Sequence, residues 1–324
     1  MDIRIIISVL RATLRQSTPI TLGALGGIFS ERSGVVNIAI EGMMLSAAFA
    51  GFMVNVYTGN LFFAVIGAMI VGGLMGLIHA WLSITFKIDQ IISGTVINIL
   101  AIGLTGYFYQ SGATTKGKLS PIPIPILSDI PVIGEVLFNN PPITYTAIVM
   151  VFVTAFIMFR TTWGLRTRAV GEHPHAADTV GINVYLVRYI NVIISGAVAG
   201  LGGAFLTLES VGSFERGITN GRGFIALAAL IFGKWNPYGA WGAALLFGFA
   251  NAIQTQLQFT GGLNVPHEFI GMIPYVLTVL VLAGFVGKAR PPAAVGQPYD
   301  GHLSLKEIFN DISKMFKTKS PEIS

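Results

Sequence analysis

Any chemistry in this chain must come from the few polar side chains set within its long apolar runs. Glu41 is the one charged residue between Ser33 and Phe86. A carboxylate in such a run needs a partner or water, which makes it a functional candidate by default. Asn37 lies one turn earlier on a similar face. Ser93 and Asn98 share a second apolar run, with Thr95 between them. Asn251, Gln254 and Gln258 recur at helical spacing in a third. These residue types offer hydrogen bonds to a hydroxyl- or amide-bearing solute, or between neighbouring helices. Glu41 could equally pair with Arg32. Bond-making chemistry finds no such support. The chain has no cysteine and no G-x-S-x-G turn. His173 and His175 stand two residues apart without the further ligand that a zinc site needs. No catalytic residue and no metal site is assigned.

The elements that must position these residues are membrane helices. Of 324 residues, 53% are hydrophobic and 11% charged, and mean hydropathy is +0.70. A soluble domain carries about 25% charged residues, so a soluble enzyme of this size is excluded. Charge-free gaps are long enough for helices of about 20 apolar residues. Spans are expected near 35–56, 62–86, 90–112, 142–160, 190–212, 239–258 and 269–287, with shorter apolar pieces at 17–30 and 223–233. The expected fold is all-α, a polytopic transmembrane bundle of about 8–10 spans. The runs lack the alternation of a membrane barrel.

Three segments frame that bundle. Residues 1–16 pattern as an amphipathic helix lying in the interface plane, with Arg4, Arg11 and Arg15 on one face, and Pro19 marks a break after it. Residues 17–287 form the transmembrane domain, with a polar cytoplasmic segment at 161–190. Residues 288–324 form a cytoplasmic tail, in which Ser304 and Glu307 make a capping box for an amphipathic helix. The proline-rich loop 113–141 reads as an external connector. The net charge of +5 is an orientation signal and not a mark of nucleic-acid binding. With 160–190 inside, thirteen Lys and Arg face the cytoplasm and four face out.

A faint repeat relates the two halves. Glu31-Arg32 and Glu215-Arg216 each precede a glycine-bearing apolar stretch, and Gly42-Met43-Met44-Leu45 sits roughly where Gly223-Phe224-Ile225-Ala226 sits in the second half. Gly67-Ala68 and Gly242-Ala243 follow. The expected topology puts the two Glu-Arg pairs on opposite sides, as in an inverted repeat.

The stretch WGLRTRAVGEHPHAADTVGINVYLVR (163–188) is a polar island between spans. Pro174 suits a first helical position and Gly181 a left-handed end, so a short helix is expected over 174–180. The segment resembles the cytoplasmic coupling region of ABC importer permeases for branched-chain amino acids, ribose and nucleosides. Gly171, Glu172, Ala176, Ala177, Asp178, Gly181 and Ile182 carry the resemblance. SGAVAGLGGAF (195–205) resembles the family's next helix, and LGGIFSERSGVVNIAIEGMML (25–45) is similar to its nucleoside-type members. The resemblance implies a multi-pass subunit of the cytoplasmic membrane with three partners: a second permease, an ATP-binding subunit and an extracellular or periplasmic substrate-binding protein. The coupling residues would be Gly171, Glu172, Ala176, Ala177, Asp178 and Gly181, and the amides and hydroxyls above would suit a nucleoside. The chain carries no Walker A sequence, so hydrolysis belongs to the partner. A simple-sugar or branched-chain amino acid permease and a secondary transporter are the alternatives.

Overall fold

Long apolar runs favour helices because only a helix satisfies its own backbone groups within lipid. The computed structural model describes residues 3–109, 111–260, 272, 276 and 289–301, with the backbone alone for 259 and 260. In chain order, α1 covers Ile3–Arg32, α2 Ile40–Thr58, α3 Leu61–Ala80, α4 Gln90–Tyr107, α5 Ile133–Leu137, α6 Pro142–Arg160, α7 Thr162–Glu172, α8 Pro174–Thr179, α9 Val184–Ala204, α10 Arg222–Phe232 and α11 Pro237–Thr260. Wider π-helical turns extend α3 through Trp81–Thr85 and α9 through Phe205–Val211. Among the described residues, β-structure is limited to short pairings, chiefly β1 (Ile122–Pro123) antiparallel to β2 (Asn139–Asn140) in the 113–141 loop. The polytopic helical bundle expected from composition is what the chain forms.

Among the described residues, five helical segments are long and apolar enough to cross a bilayer by themselves: Ile40–Thr58, Leu61–Thr85, Gln90–Tyr107, Pro142–Arg160 and Val184–Val211. The expected span at 269–287 and the capping box at Ser304 and Glu307 lie outside the described residues.

The break expected at Pro19 is absent, and α1 runs through it unbroken. Proline removes one amide bond. Tertiary packing outweighs that loss, since residues 17–31 are buried throughout. The hydroxyls of Ser17 and Thr18 both donate to the Leu14 carbonyl at 2.9 Å. Arg11 pairs with Glu135 of the 113–141 loop at 2.7 Å, while Arg32 Nε donates to the Trp235 carbonyl at 3.0 Å. At 1.5 Å per residue these two arginines stand roughly 30 Å apart, so α1 traverses the bundle.

Small residues let the helices approach closely. A Cβ on Gly72 of α3 would meet the Gly196 carbonyl oxygen of α9 at 2.3 Å, and one on Gly196 would meet the Gly72 oxygen at 2.2 Å. Gly26 of α1 presses on the Ser195 carbonyl in the same way. α1 packs against α9, α10 and α11, and α9 against α1, α2 and α3. Exchanging α1 with α9, α2 with α10 and α3 with α11 leaves this set of neighbours unchanged. α1 runs towards α8, whereas α9 starts there and ends beside Thr115. The faint sequence repeat therefore corresponds to two halves packed in opposite senses.

Candidate functional site

Four of the polar residues singled out above, Asn37, Glu41, Ser93 and Asn98, converge on a break between α1 and α2. Ile40 contacts Gly23 and Gly27 of α1, so α2 begins roughly 10 Å back from the end of α1. Residues 33–39 carry the chain to that depth without a helix. Irregular backbone at such depth requires partners from the protein, and side chains of three helices supply them. Gln90 of α4 accepts from the Val36 amide at 2.7 Å. His79 of α3 meets the Val36 carbonyl through Nε2 at 2.9 Å and Ser93 through Nδ1 at 2.9 Å. A carbonyl only accepts, so Nε2 carries the proton and Nδ1 of the neutral ring accepts from Ser93. Asn98 Oδ1 accepts from the Gly42 amide at 2.7 Å, and its Nδ2 donates to the Ile38 carbonyl at 3.0 Å. Asn37 donates to Ser195 of α9 at 2.8 Å.

Glu41 does not pair with Arg32. Its carboxylate accepts from the backbone amides of Gly221 at 2.9 Å and Gly223 at 2.7 Å. It thus caps α10, where unpaired amides and the helix dipole favour an anion. The approach is close: a Cβ on Gly223 would sit 2.5 Å from the Glu41 backbone nitrogen. Glu209 repeats the arrangement in the other half, accepting from the Ile143 amide at 2.7 Å and the Thr144 hydroxyl at 2.5 Å at the start of α6. Sequence reasoning missed Glu209 because it sits just past the apolar run that ends α9. Glu31, a third buried acid, accepts from the Trp235 indole at 2.6 Å.

α10 starts at Glu41 and spans about 16 Å. Residues 212–221 connect it to the opposite end, where Gly212 accepts from the Thr115 amide at 3.0 Å. Phe214 is buried there, with its ring 5.0 Å from Phe49. Asn251 and Gln254 stand apart from this cluster. They lie half-buried on α11, within two turns beyond Gly248, which packs on Thr13 and Ser17 near the Arg11 end of α1.

The segment expected to couple with a partner forms α7 and α8. Pro174 opens α8 and the amide of Gly181, in the left-handed region at φ 83°, closes on the Asp178 carbonyl at 2.9 Å. Gly171 is pressed against the Arg32 carbonyl, where a Cβ would come within 2.1 Å. Ala177 is 3% exposed and belongs to a buried cluster of its own chain that includes Val35, Ile84 and Tyr185. Ala176, His175 and Thr179 are exposed, and Val180 is 75% exposed. Glu172 accepts from the Ala293 amide at 3.1 Å. Beside this region Lys87 bonds Asp300; the bond holds the lysine above its ordinary range and the carboxylate below its own.

The family described as the permease component of branched-chain amino acid transport systems matches residues 9–282. A guanosine ABC transporter permease protein of Bacillus subtilis, NupQ, is 46% identical over 92% of this chain and 98% of its own length. The nucleoside ABC transporter permease protein NupC of Lactococcus lactis is 40% identical over 87% of this chain and 93% of that one. A Haloferax volcanii protein provisionally named a glucose ABC transporter permease, TsgC13, is 34% identical over 91% and 98%. No solved structure matches. The chain is a multi-pass membrane protein and belongs to this family of ABC transporter permease components.

Proposed function

We propose that this chain is one permease subunit of an ABC importer that carries a nucleoside across the cytoplasmic membrane. Similarity along nearly the whole chain to permeases named for guanosine and nucleosides carries the substrate class. The exposed face of α8 supports docking of an ATP-binding subunit, with His175, Ala176, Thr179 and Val180 outward. Gly171 and Ala177 are buried within the segment and Gly181 ends it; Glu172 precedes α8 and Asp178 lies in it. A second permease completes the pore, and an extracellular or periplasmic binding protein delivers substrate to the 113–141 end. The excess of Lys and Arg at the α8 end supports a cytoplasmic side for that end, with residues 161–190 and the tail.

Within this reading the polar cluster acts on the walls of the route. Asn37, Ser93 and Asn98 hold residues 33–42, and Glu41 holds α10. Asn251 and Gln254 are the predicted residues left half-exposed to meet a solute. Uptake of tritiated guanosine into cells expressing the whole importer, competed with adenosine, ribose, glucose and leucine, tests the substrate. Competition by leucine or glucose without competition by adenosine sinks the nucleoside assignment. Uptake that continues in proteoliposomes lacking ATP and the ATPase sinks the importer class.

A further inference from the structure

Residues 289–301 are rich in proline and alanine and read in sequence as a plain tail. In the structure they lie across the ends of four elements. The Ala294 amide donates to the Gly171 carbonyl of α7 at 2.9 Å, and the Gly296 amide to the Gly34 carbonyl after α1 at 3.2 Å. Arg188 of α9 donates from Nη1 to the Gln297 carbonyl at 3.0 Å, and Tyr185 to the Tyr299 carbonyl at 3.2 Å. Asp300 pairs with Lys87, just ahead of α4. Ala294 and Tyr299 are buried.

Tyr299 is the centre of this arrangement. Its ring stands 5.0 Å from His175 of α8 and 5.4 Å from Tyr185 of α9, and the Arg188 guanidinium lies 6.0 Å from its centroid. A helix of six residues has little stability of its own, so its tertiary ties fix its place. The ties of α8 include Ala177 in the core, His175 against the Tyr299 ring and Asp178 beside the same tyrosine. Arg188 is 2% exposed and bonds the Ser33 and Gln297 carbonyls, yet its Nη2 has no partner. A buried guanidinium with a spare donor, gripping both strap and helix ends, allows a second set of bonds when the joint shifts.

We propose that residues 289–301 are a transmission strap, with Tyr299 as its positioning residue. A displacement of α8 reaches α1 and α9 together through the strap, rather than through α7 alone. This rests on the reading of α8 as the ATPase contact.

The test uses the complete importer in proteoliposomes and reads tritiated guanosine taken up per ATP hydrolysed, alongside ATPase retained on the permease. Tyr299→Ala should retain the ATPase but lower uptake per ATP by roughly two- to tenfold. Tyr299→Phe, which keeps the ring, should match the wild type. Lys87→Asp changes an exposed pair that folding tolerates; it should lower the ratio, and adding Asp300→Lys should restore it. An unchanged ratio in Tyr299→Ala overturns the strap. If Tyr299→Ala does not insert, an unchanged ratio in Lys87→Asp overturns it instead. Loss of the ATPase from Tyr299→Ala also overturns it, because the segment then serves docking. A wild-type permease that never retains the ATPase defeats the α8 reading itself, which is a separate outcome.

Discussion

The two breaks in the bundle, 33–39 and 212–221, occupy related places in the two halves but are held differently. The first is clamped by side chains reaching in from three helices: Gln90, His79 and Asn98 from α3 and α4, Arg188 and Ser195 from α9. The second is held by turns of its own, such as Ile218 amide to Glu215 carbonyl at 3.1 Å and Asn220 amide to Gly217 carbonyl at 2.8 Å. Glu41 secures its far end. Gly217 and Gly221 both lie at positive φ, which a glycine adopts at little cost. Many independent clamps make a fixed joint. Thr115 on the Gly212 carbonyl, Arg216 on the Gly106 carbonyl, the Phe214 ring and Glu41 tie the second to its neighbours, but its inner backbone bonds are local turns, so it should open at a lower free energy. The lesson is that inverted symmetry in backbone path does not impose symmetry in stiffness.

Breaking the comparison starts at Glu41. Glu41→Ala leaves the buried Gly221 and Gly223 amides unpaired and should cost about 4 kcal/mol. It should appear as a lower unfolding midpoint in detergent and faster amide exchange at 219–224. Slow exchange there would show that the carboxylate does not hold the joint. Gly223→Ala pushes a methyl against the Glu41 backbone and should cost about 3 kcal/mol. A normal midpoint would mean that α2 and α10 are more loosely packed than described. Asn98→Ala removes two bonds from the clamped break and should cost about 2 kcal/mol. Exchange at 34–38 should nevertheless stay slow, since the other clamps persist; general opening there would erase the contrast. Gly217→Ala meets open space but keeps φ at 68°, so about 1 kcal/mol of strain is expected. In the wild type, exchange at 215–220 should outpace that at 34–38, and the reverse order would invert the comparison.

Much of this was legible in sequence. The expected 62–86 and 142–160 are Leu61–Thr85 and Pro142–Arg160 in the structure, and the helix at 174–180 is Pro174–Thr179. Apolar run length and proline position are local signals, and they sufficed for these. The expected span start at 35 is too early, because residues 33–39 carry no charge yet take bonds from Gln90 and His79. Nothing in the local pattern reveals that. The role of Glu41 was equally hidden. Its isolation marked it, but its partners stand about 180 residues later, and any backbone amide could have filled the place. Residues 289–301 escaped notice because proline and alanine carry no periodicity, although their backbone groups make most of the contacts.

The neighbours of α1 have a consequence for how the chain is made. α1 leaves the ribosome first, yet α9, α10 and α11 follow only after residue 183. Synthesis at about 5–20 residues per second leaves roughly 10–50 s before α11 is complete. For most of that interval Glu31 has no Trp235, and Ser17 has no Gly248 to pack on. The first helix of this protein is therefore the one that waits longest for its place, and a chain truncated before α11 exposes an arginine-tipped, acid-bearing helix to quality control.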